Sequence, residues 1–207
     1  MNPNNVSIRV YYSWLLTFTG RHQEAVAEMG SARKRDPLSS FTNTHLGLAL
    51  CWAGRTEESI QVLKQAIEIN PGYWRLHDDL GQVYLANSMI AEAIEEFEKG
   101  VKLSKGIPIT IAHVAEARYL SGDEKRGDKI LAGLKERSKQ EYVHPICFFV
   151  IQFARRDTEQ MYYCLERAYE EHDGFLPWIF ELPHVDFKTR VLTDPRFKEF
   201  LKKLGLP

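Results

Sequence analysis

Residues 46–71 read LGLALCWAGRTEESIQVLKQAIEINP, and residues 80–105, 34 places on, read LGQVYLANSMIAEAIEEFEKGVKLSK. Both open on Leu-Gly, place a large apolar residue at Leu63 or Phe97, and follow it with a small one at Ala66 or Gly100. The beat continues outward. Pro3, Pro37 and Pro71 keep it, as do Gly20, Gly54, Ser88, Gly122 and Arg156, and then Ala25, Ser59, Ala93, Gly127 and Met161. A fixed period of this length marks a stacked array of supersecondary units, and this pattern predicts helix–turn–helix units.

With the first unit begun at Val6, five units start at Val6, Ser40, Trp74, Pro108 and Tyr142. Position 7 of the unit holds Tyr12, Leu46, Leu80, Val114 and Phe148, and position 24 holds Met29, Leu63, Phe97, Leu131 and Leu165. Small residues at positions 8, 20 and 27 let two antiparallel helices approach, and the large apolar columns fill the space beside them. The glycine column at position 15 suits a left-handed turn between the helices. Glu24, Glu58 and Glu92 fall in the first turn of the second helix, where the helix dipole favours an anion. Pro37 and Pro71 end that helix.

Bulk properties narrow the classes. The chain has 207 residues and is 44% hydrophobic, which suits a folded core. Lys and Arg number 27 against 28 Asp and Glu, with no basic segment, so the electrostatic footprint of nucleic-acid binding is missing. The longest apolar runs, 46–53 and 145–154, fall short of the ~18–20 residues that cross a bilayer, so no membrane insertion is expected. The polar start, Met1 to Asn5, is unlike a signal segment, and a cytoplasmic location is the default. Cys51, Cys147 and Cys164 are odd in number and far apart, which suggests reduced packing residues rather than a disulfide framework.

The combined columns resemble the tetratricopeptide repeat family over about residues 6–175. Leu46-Gly47-x-x-Leu50 with Gly54, Ala66 and Pro71, and Leu80-Gly81-x-x-Tyr84 with Ala93 and Phe97, carry the resemblance. It implies an all-α, right-handed superhelical solenoid of about five such repeats over 1–175. Units four and five depart from the pattern at Arg118 and Gln152, at Phe148-Phe149, and at Arg156 in the glycine column. Residues 176–207 keep no columns. Asp194-Pro195 starts a helix there, with Phe197, Phe200, Leu201 and Leu204 on one face, and the segment reads as a C-terminal helical cap that includes Trp178, Phe180 and Phe187. Pro3 sits in phase with the end of a preceding unit. The overall shape is also similar to repeat tails at the C-termini of multidomain bacterial regulators, which would make the chain a regulatory arm.

The resemblance further implies that the first helix of each pair lines a concave groove. The candidate groove residues are Val10, Trp14, Phe18, Phe41, His45, Leu48, Trp52, Arg75, Asp78, Asp79, Gln82, Leu85, Glu116, Tyr119, Val150 and Phe153. This reads as an apolar groove with one polar band at unit three. The family's carboxylate clamp of Lys, Asn and Arg is absent, because Val10, Trp14, His45 and Asp79 stand at its positions. A partner segment with one basic residue flanked by apolar ones is expected instead. No phosphate-cradling loop, nucleophile elbow or paired-Cys metal motif occurs, so neither catalysis, a cofactor nor a metal is expected. His113 and Glu116, three apart on one helix, make too small a donor set for a metal. Two functions remain: a scaffold that binds a protein or peptide in the groove, and a self-assembling module in which Val6, Val10 and Tyr11 form an open edge that pairs with a second copy.

Overall fold

The computed structural model describes residues 6–176, 179 and 190–205. The side chains of Val6, Ser7 and Phe18 lie outside the description, as do Trp178, Phe180 and Phe187. The described residues form eleven helices and no strand: α1 (Val6–Phe18), α2 (His22–Arg35), α3 (Ser40–Trp52), α4 (Thr56–Ile69), α5 (Trp74–Ala86), α6 (Ile90–Leu103), α7 (Pro108–Leu120), α8 (Glu124–Arg137), α9 (Pro145–Arg155), α10 (Thr158–Glu170) and α11 (Pro195–Lys203). The first four odd-numbered helices start 34 residues apart, and so do all five even-numbered ones from α2 to α10. Consecutive helices pack as antiparallel pairs, and each pair stacks on the next, which makes a helical solenoid.

The turn inside each pair is set by backbone alone. Gly20, Gly54, Ser88, Gly122 and Arg156 all have φ between 61° and 82°. In every unit the amide of the next residue donates to the carbonyl five back, as Arg55 does to Leu50 at 2.9 Å and Asp157 to Gln152 at 3.1 Å. This is the Schellman ending of a helix, and glycine takes its left-handed residue at least cost. Ser88 and Arg156 adopt it with a side chain, at about 1 kcal/mol each.

Close approach explains the small columns. A Cβ on Gly47 would sit 2.6 Å from the Leu63 side chain, and one on Gly81 2.5 Å from the Phe97 ring. The Ser59 hydroxyl donates to the Gly47 carbonyl at 2.6 Å and ties the two helices where they are nearest. Unit five solves the same contact differently, with Phe149 and Met161 both buried where the other units hold small residues. Its first helix also starts three residues late. Pro145 takes the first helical position and holds His144 extended, at φ −52° and ψ 131°. Asp173, buried beyond α10, accepts from the Ile146 amide at 3.4 Å, the Phe175 amide at 2.8 Å and His144 Nδ1 at 2.7 Å.

The apolar core runs the length of the array and is broadest at the C-terminal end. There Phe197 and Phe200 of α11, with Val191, Leu176 and Ile179, join the core of units four and five. The outer face of α11 is charged and tied down: Arg196 donates to Glu159 at 2.8 Å, and Lys203 to Glu166 at 2.7 Å.

Candidate functional site

The inner face begins with aromatic side chains. Trp14 is half-buried, and its indole N–H donates to His45 Nδ1 at 3.3 Å. The Phe41 ring is 41% exposed and meets His45 edge-on at 4.6 Å. Trp52 stacks on His22 at 5.8 Å. His45 itself is buried, and burial, with the nearby charge of Arg75, pushes its pKa down to about 3. It is therefore neutral, and its Nδ1 is free to accept the indole hydrogen.

Next comes a polar network on α5 and α7. Arg75 donates to Asp79 at 3.4 Å, and His113 Nδ1 donates to Asp78 at 2.9 Å. Asp78, Asp79, Gln82, His113 and Glu116 are all buried. Burial pushes Asp79 up to about 6, although Arg75 draws it back. Burial likewise pushes Glu116 up to about 7, against the pull of His113 and with the push of Asp78. Burial works against the protonated form of His113, but the charge and hydrogen bond of Asp78 outweigh it and raise its pKa. The band at unit three thus sets three buried carboxyl groups, two of them with raised pKa values, beside Arg75 and His113. It opens on a small recess, walled by Leu48, Ile109, Ile146 and Val150 as well as by Arg75, Asp78, Asp79, Gln82 and His113. Among the described residues no group of three or more metal-ligating side chains occurs.

The remaining candidates lie deeper. Val10, Leu48, Leu85, Val150 and Phe153 are buried in contacts within and between units. Tyr119 lies against Gly127, where an added Cβ would be 2.7 Å from the ring, and its hydroxyl donates to Asp128 at 2.6 Å. Phe18 ends α1, and its side chain is outside the described residues. Residue spacing gave no sign of one contribution. Ile179, fully buried, lines the recess, while the Arg190 guanidinium lies 5.0 Å over the Phe153 ring and within 3.5 Å of the Phe153 carbonyl. The segment after α10 therefore reaches the inner face of unit five. It lies outside the period, so no column pointed to it.

Comparison with known proteins agrees with this geometry. Family models described as TPR repeat and tetratricopeptide repeat match residues 47–88 and 75–106. Among curated proteins none is similar in sequence. Among solved structures, the crystal structure of MamA is 24% identical, covers 68% of this chain and 84% of its own, and superposes with a TM-score of 0.54. The Podosopora anserina putative kinesin light chain TPR-like repeats are 16% identical over 92% of this chain and 99% of their own, with a TM-score of 0.58. Pseudomonas aeruginosa pilF is 16% identical over 98% and 83%, with a TM-score of 0.53. At these identities the likeness is one of fold. Residues 47–106 thus carry tetratricopeptide repeats, and the 34-residue helical period on both sides continues them as a TPR-like helical solenoid.

Proposed function

We propose that this protein is a non-catalytic scaffold whose concave face binds an extended segment of a partner protein. The observation that carries the reading is an inner face on which the partly exposed rings of Trp14 and Phe41 meet at His45, within the field of the Arg75 that walls the recess together with Asp78 and Asp79. Aromatic anchors beside a shaped pocket are what peptide recognition uses. The partner segment carries one Lys or Arg for the recess and apolar residues on either side of it. Residues 1–175 act as the five-unit binding array and 176–207 as its cap. A cytoplasmic location suits three cysteines that form no disulfide, two of them buried, with burial pushing Cys147 up to about 12 and Cys164 up to about 11.

The test is an array of peptides in which a central Lys or Arg is exchanged for Glu or Leu. Binding should favour the basic centre and drop at least tenfold in the Trp14→Glu/Trp52→Glu variant. Equal binding to all centres, or unchanged binding by a folded variant, defeats the assignment. Self-association is the second reading, and the exposed face of α1 favours it.

A further inference from the structure

Two faces of α7 line two different depressions. Ile109 and His113 wall the recess, whereas Ile111, Val114 and Arg118 line a groove of about 570 Å³ between α6 and α8. The floor of the groove is apolar, from Ile111, Val114 and Ile130. Its rim carries Arg118, Arg126, Lys129 and Arg137 against one carboxylate, Glu98. This rim breaks the repeat. At the positions of the four cations, unit two holds Leu50, Glu58, Gln61 and Ile69, and unit three holds Tyr84, Glu92, Glu95 and Leu103. Arg118, a departure from the apolar column, thus belongs to a charged set. Gly133, in α8, lines the same groove. Nothing lies within 4 Å of the point its Cβ would occupy, so packing within the chain does not call for glycine there. A glycine inside a helix weakens it, and Gln65, Lys99 and Arg167 stand at this position in units two, three and five. What Gly133 does is keep the groove open.

We propose that this groove is a second docking site, independent of the concave-face reading, for an acidic partner segment in which Asp or Glu is interspersed with large apolar residues. The apolar floor takes the apolar side chains, and the rim takes the carboxylates. Part of the rim charge is already offset. Arg118 bonds to Glu98 at 2.6 Å, Arg126 pairs with Asp123 at 3.2 Å, and Arg137 pairs with Glu141. Asp123 and Glu141 do so from outside the groove lining. Lys129 is exposed and has no such partner among the described residues, so an incoming carboxylate gains most beside it. Arg137 also donates to the Gly106 carbonyl at 2.6 Å, which holds its guanidinium in place at the rim. The recess, by contrast, sets Asp78 and Asp79 among its walls. The two sites therefore select segments of opposite charge. The apolar floor favours a peptide over a nucleic-acid backbone, which would present sugar and phosphate.

The test is an array of short peptides in which Leu and Phe are interspersed with Glu, with Gln or with Lys, probed with the labelled whole chain. The best Glu peptides should bind at least tenfold tighter than their Gln counterparts, and less tightly as salt rises. Lys129→Glu should weaken that binding at least tenfold. Gly133→Gln should do the same by filling the groove, with helical circular dichroism unchanged. Trp14→Glu/Trp52→Glu should leave it intact, which separates this site from the concave one. Absence of binding to every Glu peptide, or equal binding to Glu and Gln peptides, overturns the proposal. So does undiminished binding by folded Lys129→Glu and Gly133→Gln. Loss of binding in Trp14→Glu/Trp52→Glu alone would place the acidic segment on the concave face and overturn the groove. Tighter binding of an oligothymidylate than of any Glu peptide would assign the groove to nucleic acid and overturn the peptide.

Discussion

Units three and five build the same hairpin from opposite materials. In unit three, Gly81 lets the α5 backbone lie directly on the Phe97 ring, with no side chain of its own in between. In unit five, a fully buried Phe149 stands at the glycine's position, and Met161 at that of Ala93. Both hairpins turn through the same left-handed residue and the same pair of backbone bonds. The frame is therefore a property of the turn and of the total volume between helices, not of a fixed residue at each place. What unit five loses in close approach it recovers in buried aromatic surface, shared with α11.

The comparison is sharpened most by emptying unit five. Phe149→Ala leaves a large cavity, and is expected to cost about 4 kcal/mol in urea unfolding. Filling unit three is the counterpart. Gly81→Ala forces the Phe97 ring to move and is expected to cost about 1–3 kcal/mol. If Phe149→Ala proved the milder of the two, unit five would not depend on its ring.

The polar band between the two regions responds to pH. Glu116 is raised from 4.5 to about 7 in the folded chain, by burial first and the charge of Asp78 second. The folded state thus holds a proton that the unfolded state releases. Stability from this group is full below pH 4.5 and is lost as pH rises through about 7. Glu116→Gln removes that loss, so it should stabilise the protein relative to the native chain by about 2 kcal/mol more at pH 8 than at pH 5. Equal effects at both pH values would show the carboxyl to be ionised throughout.

The smallest expected effect concerns the turns. Arg156→Gly should stabilise unit five by about 0.5–1 kcal/mol, while Gly122→Ala should destabilise unit four by a similar amount, both measured in urea. A reversed order would mean that the Arg156 side chain stabilises its turn more than the left-handed backbone costs.

Much of the architecture was legible in the chain because stacking repeats a size requirement every 34 residues, and size is visible in the letters. The turn column could be read even at Ser88 and Arg156, since its neighbours fixed the phase. The three-residue delay of α9 was hidden, because Pro145 shifts a helix start without shifting the turn that follows. The candidate groove was harder. Whether Val10 or Tyr119 faces solvent depends on how tightly successive pairs curve, which no single column records. The contacts of Ile179 and Arg190 with the inner face arise from a segment with no period at all.

The five matching turns bear on how such chains are recognised. Family models match here from residue 47 to 106, yet the amide-to-carbonyl bond pair recurs from Arg21 to Asp157. The hydrogen-bond signature outlasts the letter signature by more than a unit at the C-terminal side. Counting the turns inside helix pairs by that bond pair, at Arg21, Arg55, Met89, Asp123 and Asp157, gives five where residue resemblance stops near the middle of the chain. Divergent members of such families will be longer, as folded objects, than their letters declare.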